Sequence, residues 1–95
     1  MSARIDCSDA VRELREHLGL TLEEMAKLME LNRATIFRYE NRLLVPKNAV
    51  LRNFAAVSLE HHKDDLCRRF LAPISADQRI SIADLRAAIV KAVAA

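Results

Sequence analysis

Residues 19–46 read GLTLEEMAKLMELNRATIFRYENRLLVP, and this stretch decides the fold. Gly19 is the only glycine in the chain and directly follows an apolar-periodic run, where a left-handed residue closing a helix excludes most side chains. Thr21 with Glu24 three residues on is a capping box, each side chain satisfying the other residue's free backbone N–H. Met25, Ala26 and Met29 give the helix that follows one apolar stripe. It has room for only about nine residues before Asn32, itself a good N-cap, starts another. That next helix runs from about Arg33 to Glu40 with Ile36 and Tyr39 pointing inward, and Pro46 stops any continuation from the loop Asn41 to Val45. Two helices this short cannot stand alone, so both must lean on their neighbours.

Working outward, a helix opening at Ser8 or Asp9 sets Val11, Leu14 and Leu18 on one face and ends at Gly19. After Pro46 a fourth helix aligns Val50, Leu51, Phe54 and Ala55. From Leu59 to Leu71 the pattern resumes around Leu66, Cys67, Phe70 and Leu71, interrupted by the polar stretch His61 to Asp65. This is either a fifth helix or a kinked extension of the fourth. Pro73 is expected to break the chain, and Ser81 with Asp84 starts a last helix bearing Ile82, Leu85, Ile89 and Val93. With one glycine and two prolines there is little turn chemistry for strands, so the expected class is all-α.

Ninety-five residues close a single modest core and leave no room for a catalytic domain with its own deep cleft. No apolar run is long enough to cross a bilayer, and Met1 to Asp6 lacks the build of a secretory leader, so a cytoplasmic protein is expected. In that compartment Cys7 and Cys67 are expected to be packed thiols. The net charge of +2 says little, but its distribution says more. Residues 1–32 hold four basic and seven acidic groups, whereas residues 33–53 hold Arg33, Arg38, Arg42, Lys47 and Arg52 against Glu40 alone. Positive charge concentrated in one segment is the electrostatic footprint that phosphate requires.

Over Gly19 to Pro46 the order and spacing of Gly19-Leu20-Thr21, Glu23-Glu24-Met25-Ala26, Arg33-Ala34-Thr35-Ile36, Arg38-Tyr39-Glu40-Asn41 and Pro46 resemble the XRE family of lambda-repressor-like helix-turn-helix regulators. With Val11, Leu14 and Leu51 to Ala55 the likeness extends over about residues 8–59. It implies a compact four- to five-helix bundle with a helix-turn-helix, residues 1–59, and a C-terminal helical extension, residues 60–95. It further implies that the helix starting at Arg33 enters the major groove of double-stranded DNA, a groove that admits one helix. Arg33, Ala34, Thr35, Phe37 and Arg38 are then the candidate base contacts. Arg42, Lys47 and Asn48 suit phosphate contacts, which position without reading sequence. The chain departs from the family pattern at Leu22, where glutamine is common, and at Glu30 and Arg42, where glycine is frequent. Glu30 then implies either a left-handed residue or a reshaped turn.

Other chemistry is poorly supported. His61, His62 and Cys67 stand at helical offsets that do not share a face, so a metal site is not expected. Cys7 and His17 lack a third group to orient them as nucleophile and base, and no enzymatic activity or cofactor is expected. One helix spans few base pairs, so the resemblance implies a homodimer on a palindromic operator. Phe70, Leu71, Ile74, Ile82, Leu85, Ile89 and Val93 exceed what one small core needs, which points to a dimer interface within residues 66–93. The alternative is that the last helix completes the monomer. The functional expectation is a sequence-specific transcriptional regulator acting as a repressor. Its rivals are an antitoxin-like chain whose C-terminal half binds a protein partner while the helix-turn-helix regulates its own operon, and a scaffold helix-turn-helix without DNA binding.

Overall fold

The computed structural model describes residues 5–94. Residues 1–4, part of the stretch read above for a leader, and Ala95 lie outside it. Among the described residues there are six helices and no strand: α1 (Ser8–Leu18), α2 (Leu22–Met29), α3 (Arg33–Glu40), α4 (Asn48–Glu60), α5 (Asp64–Gln78) and α6 (Ile82–Ala94). The all-α expectation therefore holds, and no described helix is long and apolar enough to cross a membrane. The helices fall into two compact units, one from Asp6 to Pro46 and one from Lys47 onward.

In the first unit α3 packs against both α1 and α2, and Val11, Leu14, Met25, Ala26, Met29, Ile36 and Tyr39 are buried. α1 starts where sequence placed it, but the side chain that satisfies its first N–H belongs to Asp6, whose Oδ1 accepts from the Ser8 N–H at 2.9 Å. That hydrogen bond is the leading reason why the Asp6 carboxyl lies below the usual carboxylate range. α2 opens with the expected box: Thr21 N–H donates to Glu24 Oε1 at 2.9 Å and Glu24 N–H to Thr21 Oγ1 at 3.1 Å. Asn32 Oδ1 accepts from both the N–H and the hydroxyl of Thr35, each at 2.9 Å, and so opens α3.

Each of α1 to α5 is closed by a left-handed residue, of which only Gly19, at φ 67°, is a glycine. Glu30 is the first of the two alternatives that sequence left open: it adopts φ 56°. Its N–H donates to the Lys27 carbonyl at 3.2 Å and the Leu31 N–H to the Ala26 carbonyl at 2.8 Å, the paired bonds of a Schellman motif. Arg42 and His62, both at φ 61°, close α3 and α4 with the same pair of bonds. A side chain in this conformation is crowded by its own backbone, at a cost of about 1–2 kcal/mol that glycine escapes, although glycine also loosens the unfolded chain. Glu30→Gly is accordingly expected to raise stability by about 1 kcal/mol, measurable as a higher urea midpoint at unchanged slope. A lower midpoint would show that Glu30 makes a stabilising contact of its own.

In the second unit α4 and α5 pack along their length, and α6 lies on both. Leu51, Phe54, Ala55, Leu66, Cys67, Phe70, Leu71, Ile74 and Leu85 are buried, and the Phe54 and Phe70 rings stack with centroids 5.1 Å apart. Buried Ser58 is satisfied by donating from Oγ to the Phe54 carbonyl at 2.8 Å. The stretch from Leu59 to Leu71 resolves into two helices, with α4 ending at Glu60 and α5 beginning at Asp64. Pro73 does not break the chain as expected; it lies inside α5. Proline forfeits one helical hydrogen bond and strains the preceding turn, about 3 kcal/mol. Phe70, Leu71 and Ile74, all without exposed surface, flank it. Burying such side chains contributes about 1.5–3 kcal/mol each, so continuing the helix wins. These three residues, and Leu85 of α6 with them, are thus spent in the core of this unit, and they drop out of the apolar surface that sequence offered for a dimer.

Candidate nucleic-acid interface

α3 has two unlike sides. Ile36, Tyr39 and Glu40 are buried, whereas Arg33, Ala34, Phe37 and Arg38 are exposed. The exposed four form two adjacent rows, Arg33 with Phe37 and Ala34 with Arg38, each pair one turn apart. Thr35 is half-buried and its hydroxyl is engaged by Asn32, so of the expected base contacts it presents mainly its methyl group. Arg33 and Arg38 form no ion pair among the described residues, while Phe37 keeps 44% of its surface exposed. A shallow groove beside Arg33 is lined by Glu23, Glu24, Ala26, Lys27 and Leu31, which places two acidic residues and one basic residue of α2 along its border.

The buried side of α3, where sequence placed Ile36 and Tyr39, is also held by charge. Glu40, the one acid of the basic segment, is 3% exposed in its side chain and receives two bonds from Arg15, Nε at 2.7 Å and Nη2 at 2.9 Å. Arg12 adds a contact from Nε at 3.4 Å. Arg15 also donates from Nη1 to the Leu20 carbonyl at 3.1 Å, tying the Gly19 corner to the same cluster. The Glu40 hydrogen bond is the main reason the Arg15 guanidinium is held protonated even more firmly than usual. The last turn of α3 is thereby clamped to α1, fixing the direction in which Arg33 to Arg38 face. A lone acid within a basic segment was the only signal of this in the sequence, and its partners lie 25 and 28 residues away.

The remaining candidate residues differ in how free they are. Arg42 pairs with Asp6 at 2.8 Å and Asp9 at 3.7 Å, and donates to Ser8 Oγ at 3.1 Å, so much of its charge is offset at the start of α1. In the second unit Lys47 precedes the first turn of α4, exposed and without an ionic partner among the described residues. Half-buried Asn48 donates from Nδ2 to Asp77 at 3.0 Å, and Arg52 donates to Gln78 at 3.0 Å. After α3 the loop exposes three apolar side chains in succession, Leu43, Leu44 and Val45.

A family profile described as a helix-turn-helix domain matches residues 8–59. The chain belongs to that helix-turn-helix family. Comparison with curated proteins and with solved structures returned no match. In helix-turn-helix terms α2 and α3 are the two helices of the motif, and Glu30 to Asn32 is its turn. The family is one of DNA-binding regulatory domains, and DNA is the partner that this domain supports. His61 and His62 are exposed in the turn after α4, whereas Cys67 is buried in α5. Cys7 and Cys67 are both buried and form no disulfide, and burial pushes the Cys67 thiol above its ordinary range, away from reactivity.

Proposed function

We propose that the chain is a sequence-specific transcriptional regulator that binds a palindromic operator as a homodimer and represses by occupying it. The observation that carries this reading is α3 itself: two guanidiniums without ionic partners stand on its exposed side, and a salt-bridged cluster fixes its other side. Arg33 and Arg38 reach guanine edges, Ala34, the Thr35 methyl and Phe37 meet thymine methyls, and Lys47 and Asn48 contact phosphate at the start of α4. Arg42 contributes less to phosphate than its charge suggests, because Asp6 and Asp9 already share it. In this reading residues 1–59 read DNA, residues 60–95 hold the two copies together, and the protein works in the cytoplasm, where bacterial-type operators lie.

The test is selection from a random duplex pool at ~150 mM salt, where non-specific electrostatic binding is weak. The expected product is a palindrome whose half-sites lie about one helical turn, ~34 Å, apart. Recovery of no motif would remove the operator-reading function. The exposed run Leu43-Leu44-Val45 favours a second reading, a protein partner of antitoxin type, which a stoichiometric copurifying protein would support.

A further inference from the structure

α6 is thirteen residues long, yet Leu85 is its only fully buried side chain, with Ile82, Arg86 and Ile89 half-buried beside it. Arg86 ties this side of the helix to α5 by pairing with Asp64, which also accepts from Arg68 at 3.0 Å. The opposite side is exposed and nearly free of charge: Ala83, Ala87, Ala88, Val90 and Ala94 surround just two ionic groups, Asp84 and Lys91. Neither has an ionic partner among the described residues. Seven residues apart, they lie on the same face about 10.5 Å from one another along the axis, too far to pair within the helix.

Their placement is self-complementary. A two-fold axis passing between Ala87 and Ala88 sets a second α6 antiparallel to the first and brings Asp84 opposite the partner's Lys91, and Lys91 opposite the partner's Asp84. The side chains at the crossing are then alanines, which allow the axes to approach to about 8 Å. Parallel pairing in register would set like charges against each other, so the same two residues also choose the orientation. We infer that the exposed face of α6 docks onto the same face of a second copy of this chain, antiparallel, through two reciprocal Asp84–Lys91 pairs. This rests on the homodimer in the proposed function and gives it a surface. One helix face, about 20 Å long, buries less than a standard interface of ~1,600 Å², so the free dimer is of the weak, concentration-dependent kind.

The experiment is sedimentation velocity of the full chain without DNA, up to about 0.5 mM, the range suited to a weak interface. Asp84→Lys and Lys91→Asp, each made alone, are expected to weaken self-association about tenfold or more by turning both pairs repulsive. The double variant is expected to associate like the wild type, and an equimolar mixture of the two single variants to form heterodimers. Both positions are exposed, so unchanged far-UV circular dichroism checks the fold. A monomeric wild type across the range overturns this surface together with the homodimer. A wild-type dimer indifferent to the single substitutions overturns the surface alone, and a palindromic motif from the DNA selection bears on the homodimer but not on this surface.

Discussion

Alanine at both Arg33 and Arg38 is expected to lower affinity for the selected operator by about two to three orders of magnitude, each bidentate guanine contact being worth ~1–3 kcal/mol. Stability should stay within about 0.5 kcal/mol of the wild type, because both side chains are exposed and bond to nothing else among the described residues. Residual binding should resemble binding to unrelated duplex. Lys47→Ala offers the contrast: a phosphate contact carries no sequence information, so its loss weakens binding to every duplex alike. The slope of log affinity against log salt should then fall by about 0.9. Titrating both variants against operator and scrambled duplex at several salt concentrations separates reading from positioning. Undiminished operator affinity in the double variant would mean that α3 is not the reading helix.

Glu40→Ala is expected to cost about 3 kcal/mol and to lower the melting temperature by about 12–20 °C. Glu40 is 3% exposed and the Arg15 side chain 20%, so removing the carboxylate strands a mostly buried guanidinium that had two short bonds to it. Arg12 is nearly half exposed and its contact is longer, so Arg12→Ala should cost less than about 1 kcal/mol. Because the pair is shielded from solvent ions, the Glu40→Ala effect should persist at high salt, unlike that of a surface bridge. Thermal unfolding of both variants at low and high salt is the measurement. A loss below about 1 kcal/mol for Glu40→Ala would mean that Ile36 and Tyr39 alone hold α3 in place.

The same cluster marks how far sequence reading reached. α3 was legible to the residue because its determinants are local: Asn32 caps it, Ile36 and Tyr39 set its period, and a left-handed Arg42 follows it. The capping box of α2 and the Gly19 corner were legible for the same reason. The Glu40 anchor was not, since its partners stand on α1 and only the folded chain brings them together. Pro73 misled because the local rule against proline in a helix takes no account of the three buried residues, Phe70, Leu71 and Ile74, that flank it. The apolar residues from Leu66 to Val93 were seen correctly as many, but sequence could not divide them between a core and a surface. The fold places Phe70, Leu71, Ile74 and Leu85 inside and leaves the outer face of α6 uncovered.

The connections between helices carry a consequence for how such a chain can change over generations. Four of the five connections are three residues long, and each holds a left-handed residue that helps close the helix before it. An inserted or deleted residue at any of these would unwind a helix end or rotate the next helix away from its neighbours. The seven residues from Asn41 to Lys47 are the exception. Length variation in descendants of this chain is therefore channelled into one segment, directly after α3, the helix proposed to read DNA. That segment can be lengthened, recoded or given a new binding loop while the rest of the sequence drifts only by substitution.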